Sequence, residues 1–309
     1  MAASTKTLTS ARNQKSDEFY TRIQDIEKEL VNYKEQLNGK IVYCNCDMVD
    51  KNGLISNFVR YFVAHFKQFG LKKLISTGFV EGGHGVKFTM ESNGSTSIEN
   101  LDGDGSCFSN ECVSILDLSD VVVTNPPFSR FREFINLLVN HNKKFLIIGN
   151  INAITCKDVY PLIVERKVWF GLSNFNGGMY FNVPNEYEFN EGYDFDKEID
   201  GKKCMRLSSV CWYTNLENDD KKGFIPLTKT YSDSEYVKYD NYDAIEVSRF
   251  PSIPKDYEGI MGVPITILGK FNPSQFELIG ITIPRAKIDG KTLYARLLIR
   301  NKNPKRKAG

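Results

Sequence analysis

Short apolar runs of strand length alternate with amphipathic runs of helical spacing through the first half of this 309-residue chain. In the predicted helix over residues 54–69, Phe58, Phe62 and Phe66 share one face, and Gly70 ends the helix. A second helix is predicted over 131–140. This alternation predicts an α/β fold, a mostly parallel sheet with covering helices. The predicted core strands are residues 41–46, 73–80, 120–124 and 144–148, with a hairpin over 86–90 and 97–101.

The composition is that of an ordinary globular protein, with 41% hydrophobic and 25% charged residues. No apolar run approaches the ~20 residues that span a bilayer, and the polar start lacks the apolar segment of a signal peptide. We therefore expect no membrane contact and a cytoplasmic location. The seven cysteines lack paired Cys-x-x-Cys spacing and the three histidines are scattered, so neither a disulfide framework nor a metal site is expected.

Asn125-Pro126-Pro127-Phe128 follows the apolar run Val121–Thr124, at the carboxyl end of a predicted strand. Ligands bind at that end of open α/β sheets. The Asn125 side-chain oxygen and a proline-flanked carbonyl can each accept one hydrogen from an exocyclic amine, and an aromatic ring can stack on a flat base. Two such acceptors direct the nitrogen lone pair at an electrophile without a strong base. Asn-Pro also begins ordinary turns, but this context favours chemistry at an amine such as adenine N6.

A cofactor is expected beside the loop that follows the first strand, which runs from Cys44 to Asp47. No G-x-G-x-x-G stands there, so a dinucleotide enzyme is disfavoured. Asp47 suits a ligand ammonium or ribose hydroxyl, or equally a helix N-cap. Glu81 has the position of a ribose-binding carboxylate, or of a plain exposed acid. Asp104 stands among glycines, as a backbone that approaches a ligand closely requires, although an acidic turn has the same composition.

Past about residue 172 the sequence becomes irregular and rich in Asn, Asp, Gly, Tyr and Pro, with short strand-like pieces. After Asp289 the chain has no acid. Its remaining basic residues could contact phosphates or form a solvated tail. They are Lys291, Arg296, Arg300, Lys302, Lys305, Arg306 and Lys307.

Longer strings across nearly the whole chain resemble the EcoRI-type adenine-specific DNA methyltransferases. The resemblance implies a class I S-adenosylmethionine-dependent methyltransferase (Rossmann-like) sheet with a C-terminal target-recognition region. It divides the chain into an N-terminal arm over 1–38, a catalytic core over 39–171, and remaining core strands with the recognition region over 172–309. The strings are residues 15–21, 42–47, 71–75, 121–128 with 131–133, 143–148, 238–245, 259–266 and 270–273.

The activity that this resemblance implies is site-specific transfer of a methyl group from S-adenosylmethionine to adenine N6 in duplex DNA, within restriction-modification. Asn125, Pro126, Pro127 and Phe128 would hold the target base. In place of the usual glycine-rich loop, this chain has Cys44 to Asp47. The resemblance assigns cofactor binding to the residues that match the family's motifs, and Glu81 is added because of its position after the second strand. The residues expected to bind the cofactor are Phe19, Tyr20, Thr21, Cys44, Asp47, Glu81 and Asp104.

Because adenine N6 is engaged in base pairing, such an enzyme must flip its target base and is expected to stack it between aromatic rings. Phe175 and Phe181 are the candidates opposite Phe128, unless both simply pack in a sheet. The enzyme is expected to act as a monomer. It is expected to be encoded by a prokaryote or a phage, where a cognate restriction endonuclease is a possible partner. The alternatives are methylation of a protein glutamine or of RNA, and an inactive DNA-binding relative.

Overall fold

The computed structural model describes residues 20–45, 47, 56–183, 196–218 and 223–305. The chain forms two compact units, the first from residues 1–153 and 168–217, the second from 154–167 and 218–309. Within the described ranges, no helix is long and apolar enough to cross a membrane. The division into 1–38, 39–171 and 172–309 stays a prediction.

The first unit contains five of the described α-helices and the first twelve of the described strands. Its helices are α1 Ile23–Leu30, α2 Lys34–Leu37, α3 Asn57–Phe69, α4 Asn110–Leu118 and α5 Phe131–Asn140. Its strands are β1 Tyr20–Thr21, β2 Ile41–Asn45, β3 Lys73–Gly78, β4 Val86–Glu91, β5 Thr96–Asn100, β6 Val121–Thr124, β7 Lys144–Asn150, β8 Trp169–Phe170, β9 Met179–Asn182, β10 Asp196–Ile199, β11 Lys202–Leu207 and β12 Val210–Thr214. Short 3-10 turns cover Val31–Tyr33, Phe128–Arg130 and Ile151–Thr155.

An eight-stranded sheet forms the centre of the first unit, in the order β5-β4-β3-β2-β6-β7-β12-β8. Strands β3, β2, β6 and β7 run parallel, with Val42 opposite both Leu74 and Val121. The outer parts of the sheet are antiparallel, because the hairpin β4–β5 follows β3 directly and β12 lies antiparallel between β7 and β8. The predicted α/β class and the predicted hairpin, which is β4–β5, are confirmed. The expectation of a mostly parallel sheet was wrong, because the sheet is mixed.

Helix α3 illustrates how local sequence fixes an element against this sheet. The Ser56 hydroxyl accepts a hydrogen bond from the Val59 N–H, 3.3 Å away, which caps the helix. Gly70 ends it with a left-handed φ of 61°. The predicted stripe of Phe58, Phe62 and Phe66 is buried in the main apolar cluster, as the helical spacing required.

A smaller sheet of the first unit has the order β1-β9-β11-β10 and includes the start of the described chain. Helix α1 follows β1 directly, and its Glu29 carboxylate is fully buried. That carboxylate accepts hydrogen bonds from the Tyr33 hydroxyl at 2.8 Å and from the backbone N–H groups of Leu172 and Ser173 at 2.8 and 2.7 Å. The N-terminal helix is thereby fixed to the loop after β8.

The second unit has its own sheet and helix. They are α6 Tyr160–Val164, β13 Ile245–Glu246, β14 Met261–Pro264, β15 Phe276–Ile281, β16 Lys287–Ile288, β17 Lys291–Thr292 and β18 Arg296–Asn301. The sheet order is β13-β14-β18-β15, and β16 and β17 form a separate hairpin. Short 3-10 turns cover Phe250–Ser252 and Ile265–Gly269.

Arg296 corrects part of the expectation for the basic C-terminal segment. Its guanidinium forms a two-armed ion pair with Glu246, with N–O distances of 2.9 to 3.1 Å, and both side chains are only 14% exposed. The Tyr239 hydroxyl donates to the same carboxylate. Arg296 therefore holds β18 to β13 and is not available to a phosphate.

Candidate active site

The winding of the large sheet reverses between two adjacent strands, β2 and β6. From β2 the chain passes through α3 to β3 on one side, and from β6 through α5 to β7 on the other. Ligands of open α/β sheets bind in the crevice outside the carboxyl ends of the strands at such a reversal. Asp47 follows β2 and Asn125 follows β6, so this crevice is where two of the predicted site residues meet.

The Asp47 carboxylate joins the ends of these strands. It accepts hydrogen bonds from the Thr124 hydroxyl, the Ser56 hydroxyl and the Asn125 backbone N–H. The Asp47 N–H donates to the Thr77 carbonyl at the end of β3, 3.1 Å away. The residue is 6% exposed, and burial raises the pKa of its carboxyl to about 7. Asp47 thus fixes the backbone at the position from which Asn125 projects.

The Asn-Pro-Pro-Phe turn leaves the sheet in a defined conformation. Asn125 is half-buried and Pro126 is buried. The Pro127 carbonyl accepts a hydrogen bond from the Arg130 N–H at 3.0 Å, which closes the 3-10 turn Phe128–Arg130. Among the described residues no backbone N–H donates to the Pro126 carbonyl. The Pro127 carbonyl is thus engaged by a backbone N–H, whereas the Pro126 carbonyl, beside Asn125, is not engaged by a backbone N–H of the described residues.

Phe128 lies over the apolar core with part of its ring accessible. It is half-buried and packs perpendicular to Phe181, with ring centroids 6.2 Å apart. Phe181 itself is fully buried, and Phe175 is buried against Phe170 with ring centroids at 5.0 Å. Phe181 therefore supports the Phe128 ring within the core, as the sheet-packing alternative expected. Base stacking by Phe175 or Phe181 stays a prediction.

The N-terminal strand lies beside the start of α3. The Thr21 carbonyl accepts a hydrogen bond from the Asn57 side-chain amide at 2.7 Å, which sets Tyr20 and Thr21 next to the helix cap at Ser56. Phe19 lies outside the described residues. The structure thus brings two of the three predicted arm residues to the helix whose cap bonds to Asp47.

Two buried polar side chains lie at this edge of the sheet. Asn45, the last residue of β2, is 1% exposed, and neither its amide oxygen nor its amide nitrogen has a hydrogen-bond partner among the described residues. The same holds for the Thr21 hydroxyl, which is also buried. Buried polar groups are normally satisfied, so these atoms are candidates for ligand contacts.

The loop around Asp104 is tied to the end of β3. The Val80 N–H donates to the Asp104 carbonyl at 2.8 Å, and the Asp104 carboxylate accepts from the Ser106 N–H at 2.9 Å. A Cβ built on Gly105, which has φ of 79°, would lie 2.2 Å from the Gly78 carbonyl oxygen. The glycine here allows close packing of the chain on itself. Close approach to a ligand stays a prediction.

The remaining predicted cofactor residues differ in exposure. Glu81 is exposed in the turn after β3, three residues beyond its end. Cys44 is fully buried in the apolar cluster, burial raises its thiol pKa, and its carbonyl accepts from the Ser76 hydroxyl at 3.0 Å. Their roles, like those of Tyr20, Thr21, Asp47 and Asp104, stay predictions.

Four further residues belong to this edge and were missed in the sequence. Ser56, Thr124 and Asn45 are described above, and the fourth is Phe108. The Arg130 guanidinium lies 3.7 Å from the centroid of the Phe108 ring, a cation–π contact beside the Asn-Pro-Pro-Phe turn. The sequence carried one signal for this group, since Thr124 is a polar residue that ends a run of valines.

A mixed α/β sheet with Asn-Pro-Pro-Phe at its winding reversal is consistent with a methyltransferase that acts on an amino group. The comparison with known families agrees, because the model of the family described as adenine-specific methyltransferase EcoRI matches residues 7–308. The chain belongs to this family. The suspected resemblance and the predicted enzyme class, a site-specific DNA methyltransferase that acts on adenine, are confirmed.

Three proteins illustrate the similarity within the family. The chain is 43% identical to the type II methyltransferase M.EcoRI of Escherichia coli, over 97% of this chain and 98% of that one. It is 38% identical to M.MgeORF184P of Mycoplasma genitalium, over 90% and 87% of the two chains, and 36% identical to M.MpnI of Mycoplasma pneumoniae, over 94% and 90%. No solved structure matches the chain.

Proposed function

We propose that the chain methylates N6 of a specific adenine in duplex DNA, with S-adenosylmethionine as the methyl donor. The observation that carries this proposal is the position of Asn125 at the winding reversal, where the Asp47 carboxylate holds its backbone N–H. Membership of an adenine-specific methyltransferase family supports the choice of base.

The strand order supports a class I, Rossmann-like assignment. Four parallel strands lie at the centre, and β12 runs antiparallel between β7 and β8. Since β8 is antiparallel to β12, it runs in the same direction as β7. A single reversed strand near one edge of an otherwise parallel half-sheet is the pattern that this class of methyltransferase shares.

Asn125 and Pro126 provide the two acceptors that the reaction requires. The Asn125 amide oxygen accepts one hydrogen of the adenine amino group and the Pro126 carbonyl accepts the other. Both acceptors are fixed before the base arrives, because Asp47 holds the backbone before Pro126 and the Arg130 N–H holds the carbonyl after it. This geometry favours the amine with its lone pair directed at the methyl group, and the N6 proton leaves to solvent after transfer.

The residues at the adjoining edge fit a zwitterionic cofactor. When bound, S-adenosylmethionine supplies an electrophilic methyl group on a sulfonium. The buried Asn45 amide offers one donor and one acceptor, and the buried Thr21 hydroxyl offers another pair. Tyr20, Cys44, Asp47, Glu81 and Asp104, with Phe19 before them, are the further residues proposed to hold it.

Access to adenine N6 in duplex DNA requires the base to leave the helix. Extrusion costs a few kcal/mol, which stacking and hydrogen bonds in the pocket offset. Phe128 is proposed to stack on the flipped base, because its ring is partly exposed directly after Asn125-Pro126-Pro127 and is held in place by Phe181. We propose that the second unit contributes target recognition, that the enzyme acts as a monomer, and that a cognate endonuclease accompanies it.

The proposal is tested by incubating the protein with tritiated S-adenosylmethionine and, separately, unmethylated duplex DNA, RNA and a protein extract. Digestion of the labelled product to nucleosides should give N6-methyladenine from the DNA sample. Label in glutamine residues of the extract, or in RNA alone, would replace this function with one of the alternatives. Absence of label from all three samples would leave a DNA-binding relative without catalysis.

A further inference from the structure

A β-hairpin, residues 282–295, connects β15 and β18 in the second unit, and its Ala286, Ile288 and Leu293 pack against the apolar cluster of that unit. We call it the hairpin arm. Its two sides are paired by the Leu293 N–H to Ala286 carbonyl hydrogen bond at 2.9 Å and by the β16–β17 register, in which Ile288 is opposite Lys291. Asp289 and Gly290 form its tip with φ values of 48° and 73°, the conformation of a type I′ hairpin turn. The arm is therefore a regular two-stranded ribbon.

Three successive side chains hold the arm along its length. The Asp240 carboxylate accepts from the N–H groups of Asp289 and Gly290, at 3.3 and 2.8 Å. The Asn241 side chain donates to the Arg285 carbonyl at 3.1 Å and accepts from the Lys287 N–H at 2.9 Å. The Tyr242 hydroxyl donates to the Pro284 carbonyl. The side chains of residues 240–242 are thus hydrogen-bonded along the hairpin arm and hold it in place.

The basic side chains of the arm face solvent. Arg285, Lys287 and Lys291 are exposed, and within the part of the chain that the structure describes none of them forms an ion pair. Asp289, at the tip, is the arm's one acid. Lys287 is opposite Thr292 while Lys291 is opposite Ile288, so the two lysines project from opposite faces of the ribbon.

We propose that the hairpin arm binds duplex DNA, with its exposed tip in the major groove and its basic side chains on the phosphates of the two groove walls. The major groove of B-DNA admits a two-stranded β-ribbon, and cations on both faces of a ribbon suit a groove bounded by phosphates on both sides. A pre-fixed arm loses little conformational freedom on binding. This inference rests on the proposed function, because it takes DNA as the substrate.

The test compares two triple variants with equal loss of charge. The arm variant carries Arg285→Ala, Lys287→Ala and Lys291→Ala. The control carries Lys34→Ala, Lys40→Ala and Lys72→Ala, which remove three exposed lysines near the amino ends of β2 and β3, away from the proposed active edge. Fluorescence anisotropy across a salt series measures binding of a fluorescein-labelled duplex that contains the sequence the enzyme methylates, in its unmethylated form. Circular dichroism confirms that each variant is folded.

At about 0.1 M salt the arm variant should bind the duplex at least tenfold more weakly than the wild type. The slope of log binding constant against log salt concentration should become about two to three units less negative, because three cations no longer neutralise phosphates. The control should retain the slope of the wild type. Equal slopes for the arm variant and the wild type would overturn the arm proposal. Wild-type protein that labels no DNA would instead overturn the proposed function, so the two failures are distinguishable.

A single substitution tests the role of rigidity. Asp240→Ala releases the arm's tip while raising the net charge by one. Simple electrostatics predicts tighter DNA binding for this variant, whereas a pre-fixed arm predicts weaker binding. An affinity equal to or greater than that of the wild type would contradict the anchoring of the arm.

Discussion

Gly149 of β7 lies directly against the ring of Phe131, the first residue of α5. A Cβ built on Gly149 would be 2.2 Å from Phe131 Cε2 and 2.4 Å from Cζ, so only glycine allows this packing. The ring also contacts Tyr213 of β12, with centroids 4.9 Å apart. Because α5 begins immediately after the 3-10 turn Phe128–Arg130, this contact fixes the far end of the Asn-Pro-Pro-Phe turn.

Gly149→Ala should therefore lower both stability and activity. The Phe131 ring must shift to admit the methyl group, a change that typically costs about 1–3 kcal/mol. Urea denaturation measures the loss, and Gly177→Ala is the matched control, because nothing lies within 4 Å of the Cβ it would add. A second substitution, Phe131→Leu, should recover part of the stability lost in Gly149→Ala. If the stability losses of Gly149→Ala and Phe131→Leu simply add in the double variant, the clash between these two residues is not the cause of the loss.

Asp47→Asn should remove a pH dependence of stability. The pKa of Asp47 is about 7 in the folded protein, above its ordinary value of 3.8, so the folded state binds an extra proton between these values. Wild-type stability therefore falls as pH rises through this window and levels off above about pH 7. Between pH 5 and 8 the wild type should lose roughly 3 kcal/mol relative to Asp47→Asn.

This difference is measured by urea denaturation of both proteins at the two pH values. Parallel pH dependence in the two proteins would show that Asp47 does not titrate in the window. Since the amide oxygen of the substituted side chain still accepts a hydrogen bond from the Asn125 N–H, the Asp47→Asn variant should retain a folded site.

Asn125→Ala should abolish most methyl transfer while S-adenosylmethionine still binds. Loss of a preorganised acceptor in the transition state costs roughly 3–4 kcal/mol, which is a rate drop of at least about a hundredfold. Single-turnover rates and calorimetric cofactor affinity separate the two effects. Asn140→Ala, at the exposed end of α5, is the control and should remain within twofold of the wild type. A rate within threefold of the wild type for Asn125→Ala would remove Asn125 from the site.

Asn45→Leu distinguishes a ligand contact from a packing role. The substitution keeps the shape of the side chain and removes two buried polar atoms that have no partner among the described residues, so the apoprotein should become as stable or more stable. Cofactor affinity by calorimetry should fall about tenfold. Asp104→Ala and Tyr20→Ala should also weaken binding. Unchanged affinity in all three variants would place the cofactor elsewhere.

Phe128→Ala should reduce activity on paired DNA, because stacking on an aromatic face contributes about 1–3 kcal/mol per base. Placing the target adenine in a mismatch should restore part of that activity, since extrusion then costs less. Phe128→Tyr keeps the ring and should resemble the wild type. A duplex with 2-aminopurine at the target should change fluorescence on binding. No rescue by the mismatch, together with constant fluorescence in every protein, would exclude the flipped-adenine mechanism.

The elements next to the site were largely predictable, because their signals are local. Helix α5 covers the predicted residues 131–140, and the strand before the motif is Val121–Thr124, one residue shorter than predicted. Periodicity of apolar residues carries that information within a window of about ten residues. The hairpin β4–β5 was also predicted, because its two strands are adjacent in the chain. The antiparallel position of β12 between β7 and β8 was not predictable in this way, since its partners lie far from it in the sequence.

The contacts that assemble the site, and those that hold the second unit together, join residues far apart in the chain. Thr124 bonds to Asp47 across 77 positions, and Arg296 pairs with Glu246 across 50. No property of either local sequence specifies its partner. For the basic C-terminal segment, the sequence shows only how many charges there are. The fold shows that Arg296 is internal while Lys291 is exposed.

The first unit is discontinuous, and this has a consequence for synthesis of the protein. Its central sheet needs β12, which ends at Thr214, and α1 needs the N–H groups of Leu172 and Ser173 for its buried Glu29. Residues 154–167 of the other unit emerge from the ribosome before these partners do. A growing chain therefore carries the Asn-Pro-Pro-Phe turn for about ninety residues before the sheet around it can close. A chain that has not yet reached Thr214 lacks β12, so the β7 edge of its central sheet has no neighbouring strand.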